Sequence, residues 1–410
     1  MAPYEPRPTS DGVPRAIYDD APSRAIAVPL PPTLAVYARS LLRWRPSCEV
    51  TVLREGAQTY PAMLEAIAAA KKMILFEVYI FAADGTGEKF RAALLERAKA
   101  GVKVRIIYDA VGSFGIADSW FAELVAAGAE VIDFNPIAPW RARFRLSHRD
   151  HRKIIVVDDA VAFTGGLNIA DDYAATVDGG KGWHDMHCRV RGGAVLDLAR
   201  LFRRTWLRAG GAPYPAPGRA SEAPAGPGES YARVIENTKI RQRGAFRRAY
   251  LHVIKHARES VLIENAYFLP ERAMRRQLTR AVKRGVRVAI IIPGHSDVRM
   301  VEYAGEYVLR RLAKRGVEIL RYQGAMMHAK IAVVDGLWST IGSYNFDAQS
   351  RLNNLEVTVE ILDPKVGTEL VAQFEQSRAK CIHYDEAAWL RLPWYRKVLS
   401  WVSYRLRRFL

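Results

Sequence analysis

His151-Arg152-Lys153-Ile154-Ile155-Val156-Val157-Asp158 recurs as His328-Ala329-Lys330-Ile331-Ala332-Val333-Val334-Asp335. Each copy reads His-x-Lys, four residues, Asp, and after six more residues reaches a glycine turn and an asparagine: Gly165-Gly166-Leu167-Asn168 and Gly342-Ser343-Tyr344-Asn345. Two copies with matching extensions are a repeat, not an accident of composition. The likeness spreads outward. Gly101-Val102-Lys103-Val104-Arg105-Ile106-Ile107 answers to Gly285-Val286-Arg287-Val288-Ala289-Ile290-Ile291, each after an amphipathic helical run (Phe90 to Ala100, Met274 to Arg284). Further on, Gly128-Ala129-Glu130-Val131 answers to Gly316-Val317-Glu318-Ile319. Glycine ends each helix and lets the chain enter a strand. Strands alternating with helices in a doubled chain predict an α/β fold of two similar domains about a pseudo-twofold axis.

The spacing has a chemical reading. Alternation along a strand puts His151 beside Lys153, and His328 beside Lys330, on one face. Histidine is a nucleophile or general acid near neutral pH, and lysine supplies fixed positive charge. Together they suit attack on a phosphodiester whose oxygens must be held as charge shifts. Asp158 and Asp335 complete the candidate catalytic set, although both fall on the opposite face, where a structural role at the strand end is the simpler reading. At the glycine turns Asn168, Ser343 and Asn345 are candidate substrate-binding donors. A working histidine needs its far nitrogen held by a carboxylate. Asp185 for His151 and Glu356 for His328 are the supporting acids expected. Glu77 with Tyr79, and Glu264 with Tyr267, close apolar strands and are expected to wall the pocket.

The doubled signature resembles that of the phospholipase D superfamily. Flanking stretches are similar to bacterial cardiolipin synthases of the short type without N-terminal membrane spans: Phe76-Glu77-Val78-Tyr79-Ile80-Phe81, Ile107-Tyr108-Asp109-Ala110-Val111-Gly112-Ser113, Gly182-Trp183-His184-Asp185, Asn265-Ala266-Tyr267-Phe268-Leu269-Pro270, and Gly342 through Glu356. The resemblance implies two duplicated phospholipase D-like domains, each a mixed β-sheet flanked by helices, with the active site at their interface. It implies phosphatidyl transfer from phosphatidylglycerol, or a related phospholipid donor, to an alcohol, giving cardiolipin. In that mechanism one histidine forms a phosphohistidine while the other protonates the departing alcohol and then activates the incoming one. By this analogy His151 is the nucleophile and His328 the general acid and base; the duplicated sequence itself leaves the roles interchangeable. Hydrolysis by a phospholipase D-type phosphodiesterase or nuclease is the alternative. A non-catalytic membrane scaffold is expected to have lost a motif histidine or lysine, and all four are present.

Composition fits this reading. A chain of 410 residues with 50% hydrophobic content buries ample core and normally makes two domains. A formal charge of +18 calls for an anionic partner, expected here as a phospholipid substrate and an anionic membrane surface rather than nucleic acid. Cys48, Cys188 and Cys381 show no paired spacing, as in a reducing compartment. His184, His187 and Cys188 are metal-ligand types, but His184 and His187 alternate faces on a strand, so no metal is expected. Neither a phosphate-binding Gly-x4-Gly-Lys loop nor a dinucleotide fingerprint occurs, and no cofactor is implied.

The expected organisation is a Pro-rich segment over 1–46, domains over 47–209 and 231–385, a Pro/Gly/Ala linker over 210–230 and a basic amphipathic helix over 386–410. The first copy carries an extra segment with Pro136, Pro139, Trp140, Arg141, Arg143, Phe144 and Arg145, cations among aromatics that suit a lipid headgroup or the membrane interface. From Trp394 to Leu410 a helical projection gathers Trp394, Tyr395, Val398, Leu399, Trp401, Val402, Leu406, Phe409 and Leu410 on one side. Arg396, Lys397, Arg407 and Arg408 lie elsewhere, and Arg405 falls within the apolar arc. Tryptophan and cations on such a helix mark an interfacial anchor. No run approaches the ~20 apolar residues of a membrane span and no signal pattern opens the chain. Peripheral attachment to the cytoplasmic side of the inner membrane is expected.

Overall fold

The computed structural model describes residues 28–137, 148–218, 226–238, 244–295 and 299–406, and its described strands join in one continuous sheet. In chain order they are β1 (Arg45–Arg54), β2 (Met73–Val78), β3 (Lys103–Asp109), β4 (Glu130–Phe134), β5 (Ile154–Val157), β6 (Val161–Gly165), β7 (Met186–Arg191), β8 (Ser230–Glu236), β9 (Ser260–Asn265), β10 (Arg287–Pro293), β11 (Glu318–Tyr322), β12 (Lys330–Val334), β13 (Trp338–Gly342), β14 (Val357–Leu362) and β15 (Cys381–His383). Across the sheet the order β15-β11-β10-β9-β12-β13-β14-β8-β1-β7-β6-β5-β2-β3-β4 mirrors itself about the antiparallel pair β8 and β1, with β15 as an extra edge strand. In each half the motif strand, β5 or β12, is antiparallel to both neighbours, while β2-β3-β4 and β9-β10-β11 run parallel. The two halves are thus copies of one mixed sheet, as the doubled sequence predicts.

The crossovers show why the sequence folds this way. Between β2 and β3 runs the helix Gly85–Lys99, opened by Asp84, whose carboxylate accepts from Gly87 N at 2.9 Å. Between β9 and β10 runs Arg272–Lys283. Gly101 and Gly285 follow at φ 86° and 87°, the left-handed conformation that glycine adopts without strain.

Strand alternation then sorts the side chains. On β2, Ile74, Phe76 and Val78 face a cluster under the helices Glu55–Ala68 and Gly85–Lys99, whereas Leu75 enters a middle cluster. On β9, Val261 and Ile263 face a cluster under Ala245–His256 and Arg272–Lys283, and Leu262 turns inward. The middle cluster draws on both halves and on the helices Gly193–Arg208 and Pro364–Arg378. A fully buried Leu, Ile or Phe contributes roughly 1.5–3 kcal/mol, so this shared core holds the halves together. Glu77 and Glu264 are carried to the same inner side by the same alternation.

Three segments show detail that the sequence reading did not specify. Leu34, Tyr37 and Trp44, in the Pro-rich N-terminal stretch, bury against the second half. The Pro/Gly/Ala stretch is closely packed where described: Arg203 Nε donates to Tyr214 O at 3.0 Å, and a Cβ on Gly228 would lie 2.1 Å from Cys48 O. At the C-terminus the single expected helix is two, Glu386–Arg391 and Trp394–Arg405, divided at Leu392-Pro393 because proline cannot continue the first. Pro139 through Arg145, and Arg407 through Leu410, lie outside the described residues.

Candidate active site

β5 starts at Ile154 and β12 at Lys330, so each motif histidine sits on the extended approach to its strand. Those approaches cross between the halves. His151 N donates to Leu355 O at 3.0 Å, and Leu355 N to Arg149 O at 2.9 Å. Likewise His328 N donates to His184 O at 2.7 Å, and His184 N to Met326 O at 2.8 Å. Each histidine is thereby laid beside the residue that precedes the other half's acid.

The acids consequently pair across the dyad. His328 Nδ1 lies 2.7 Å from Asp185 Oδ2, and His151 Nδ1 lies 3.2 Å from Glu356 Oε2. This corrects the expected pairing, in which Asp185 served His151 and Glu356 served His328. Chain proximity placed each acid with its own motif, whereas the two interdomain bridges decide the partner.

Both carboxylates are fully buried, and each is held by its own set of donors. Asp185 Oδ1 accepts from Met186 N at 2.7 Å. Glu356 Oε1 accepts from Ser350 Oγ at 2.7 Å, and its Oε2 accepts from Ser343 Oγ. The first half has Gly166 where the second has Ser343, and the reason is steric: a Cβ on Gly166 would lie 2.1 Å from Asp185 Oδ1. The shorter acid sits against the turn, while the longer one leaves room for a serine that bonds to it.

Around the histidines lie two buried lysines and a set of aromatic rings. Lys153 Nζ donates to His151 O at 2.8 Å, Lys330 Nζ donates to His328 O, and Lys330 Nζ stands 4.0 Å from Asp185 Oδ2. Burial first, then the charge of Lys330, pushes Lys153 down to about 7. Burial and Lys153 also lower His151, with Lys330 adding to the effect. These influences place both motifs in one electrostatic neighbourhood. Tyr79 packs 4.9 Å from His151, and Tyr173, Trp183 and Tyr267 pack 5.6, 6.1 and 6.4 Å from His328, centroid to centroid. The tyrosines expected in the pocket wall therefore adjoin the histidines, but Glu77 and Glu264 face buried cations, Arg152 and His184.

Several candidates have other work. Asp158 accepts from the backbone N–H of Lys71, Lys72 and Met73, each at 2.8 Å, and Asp335 accepts from Arg258, Glu259 and Ser260 at 2.9, 2.8 and 2.8 Å. Both sit at positive φ, 53° and 54°, just past the motif strand, and tie it to the start of the neighbouring strand. Their place in the catalytic set is corrected: they secure the strand from its far end. Asn168, expected to bind phosphate, accepts from Ile80 N at 3.1 Å and donates to Tyr173 OH at 2.8 Å. Ser343 is committed to Glu356. Of the three candidate substrate donors, Asn345 differs: its buried Oδ1 has no partner among the described residues.

Sequence reasoning missed Tyr173, whose hydroxyl lies 3.2 Å from His328 Nδ1, and Ser350. Both stand five residues beyond a motif asparagine. That shared offset was the available signal, hidden because one copy holds a tyrosine and the other a serine.

Against known proteins, the family described as cardiolipin synthase, phospholipase D-like domain, matches residues 63–177 and 250–378, one match in each half. The chain belongs to that family. Cardiolipin synthase B of Escherichia coli (strain K12) is 31% identical over 377 residues, covering 89% of each chain. A cardiolipin synthase of Geobacillus sp. (strain WCH70) is 32% identical over 356 residues, 87% of this chain and 71% of that one. Among solved structures, phosphatidylserine synthase of Haemophilus influenzae superposes with a TM-score of 0.65 over 90% of this chain and 97% of that one; at 16% identity this shows a shared fold. This cardiolipin synthase-family protein is a phospholipase D-superfamily phosphatidyltransferase of phospholipid synthesis. No described helix is long and apolar enough to cross a membrane.

Proposed function

We propose that this enzyme forms cardiolipin by moving a phosphatidyl group from phosphatidylglycerol, or a related phospholipid donor, to the hydroxyl of a second phospholipid through a phosphohistidine. The observation that carries the reading is the crossed pair of histidine–carboxylate contacts beside two buried lysines. His151 is assigned the attack because its lowered pKa keeps the ring neutral near pH 7, with Nδ1–H turned to Glu356 and a lone pair at Nε2. The Nε2–P bond forms as the P–O bond to the departing glycerol breaks. His328, braced by Asp185, gives that oxygen its proton and takes one from the incoming hydroxyl, whose oxygen then displaces His151. Lys153 and Lys330 hold the non-bridging oxygens. Buried cations are costly unless paired, and an arriving phosphodiester brings further negative charge to both ammonium groups. The unpartnered Oδ1 of Asn345 suits a headgroup hydroxyl.

Purified protein incubated with phosphatidylglycerol alone is expected to yield cardiolipin and glycerol by mass spectrometry. Phosphatidic acid as the lone lipid product would instead make the enzyme a hydrolase. The pH dependence follows from the two shifted groups. kcat/KM rises as His151 loses its proton, below its ordinary value of about 6.5. It falls as Lys153 loses its charge near 7. Lys153→Arg is expected to move the alkaline limb upward, measured as initial rates on detergent-dispersed lipid; an unmoved limb assigns it to another group.

An anionic membrane surface is proposed as the second partner. The helix Trp394–Arg405 turns Ser400 and Ser403 to the protein, with Ser400 Oγ donating to Tyr303 O at 2.6 Å, and leaves Trp394, Tyr395, Val398, Leu399, Trp401 and Val402 exposed. Small serines inward, with large apolar side chains and cations outward, is the reverse of a helix that serves a core, and it matches an interfacial anchor. Arg405 lies over the Trp401 ring at 5.7 Å, which reconciles its place in the apolar arc. Cations near an anionic surface contribute about 1 kcal/mol each, so Arg396, Lys397 and Arg405 supplement apolar insertion. Trp394→Glu with Trp401→Glu is expected to weaken sedimentation with phosphatidylglycerol vesicles at least about tenfold without unfolding the protein. Raised salt weakens what binding remains. Unchanged sedimentation would remove the helix from the membrane contact.

A further inference from the structure

The second motif lacks a charge that the first contains. In the first half Glu77, opposite Ile154 of β5, is buried with Arg152, the middle residue of His-x-Lys, whose Nη1 lies 3.8 Å away. The same guanidinium donates from Nε to Glu356 O at 3.2 Å, so it braces the acid that holds His151. The counterpart Glu264, opposite Ile331 of β12, is buried equally, but the middle residue there is Ala329. The cation arrives instead from the opposite half. His184, which precedes Asp185 as Leu355 precedes Glu356, sets Nε2 2.9 Å from Glu264 Oε2 and Nδ1 3.1 Å from Glu55 Oε1.

We propose that His184 is a positioning residue for the His328–Asp185 pair, a buried imidazolium supplied across the dyad in place of the arginine that the second motif lacks. Carboxylates face both ring nitrogens, and only the protonated ring donates at both. Ser377 Oγ adds a contact to Nε2 at 3.3 Å, and Tyr322 stacks on the ring at 5.0 Å. Burial opposes the charge, yet the two glutamates outweigh it and raise His184 to about 10. Tyr322, which stacks on the ring, is pushed up to about 12 and stays neutral. The clamp acts where the reacting pair is set: His328 N bonds to His184 O, and Glu55 N to Asp185 O at 2.9 Å. A neutral ring releases Glu264 or Glu55 and lets the Asp185 loop shift.

The inference rests on the proposed role of His328, and its test separates the two. In the full-length protein, nitrogen NMR is expected to find both His184 ring nitrogens protonated at pH 8; a neutral tautomer there overturns the proposal without involving activity. His184→Gln is expected to lower kcat about 100-fold, as a misplacement of about 1 Å does, with KM little changed. His184→Ala with Ala329→Arg, which rebuilds the first motif's arrangement in the second, is expected to recover part of that loss. Unchanged kcat in His184→Gln, or a loss matched by a smaller folded fraction at the assay temperature, overturns the assignment. An active His328→Ala variant with a protonated His184 would sink the catalytic reading instead.

Discussion

His151→Ala and His328→Ala are each expected to lower kcat for phosphatidyl transfer about 10⁴-fold or more while the protein stays folded, since residues that act as one unit fail together. The fold survives because neither ring is a core element and the acids keep other partners. Without His151, Glu356 still accepts from Ser343 and Ser350; without His328, Asp185 still accepts from Met186 N. Activity does not survive, because one ring forms the bond to phosphorus while the other moves the proton. For the same reason the double variant is expected to be little worse than either single one. Circular dichroism with initial rates distinguishes chemical loss from unfolding, and near-normal turnover by either variant would end the two-histidine reading. Trapping the phosphorylated enzyme and mapping the labelled peptide tests the asymmetry: label on His151 is expected, and label on His328 reverses the roles.

Much of the fold was legible because duplication writes the same instructions twice. Gly101 and Gly285, the paired helices before them and the paired motif strands specify two like halves, and local physics suffices at each place. Which residues share the site was only partly legible. His151 with Lys153, and His328 with Lys330, follow from short spacing. The acids did not, because their partners depend on two interdomain bridges, at Asp150 with Leu355 and at His184 with Met327, that no local pattern announces. Asp158 and Asp335 show the opposite case. Their position on the far face argued for a structural role, and the three backbone donors that each accepts explain why the motif repeats the residue. Asn168 misled for a different reason. An asparagine at a turn reads as a free donor, and only packing reveals that Tyr173 has taken it.

Asp185→Asn is expected to lower kcat about 10³- to 10⁴-fold, and through His328 rather than His151. An ionised Asp185 accepts Nδ1–H from His328 and leaves Nε2 to exchange a proton with the alcohols. An asparagine can present N–H to Nδ1, which shifts the ring proton to Nε2 and blocks the base half of the cycle. Glu356→Gln is expected to act on His151 in the same sense but less severely, because its contact is 3.2 Å against 2.7 Å for Asp185. The two pairings, crossed and uncrossed, predict different partners for each loss. With crossing, adding Asp185→Asn to His328→Ala costs nothing further, and the ring signals of His328 move in Asp185→Asn while those of His151 move in Glu356→Gln. If Asp185→Asn instead perturbed His151 and added fully to His328→Ala, each acid would serve its own half, and the bridges that join the halves would have no part in setting the histidines.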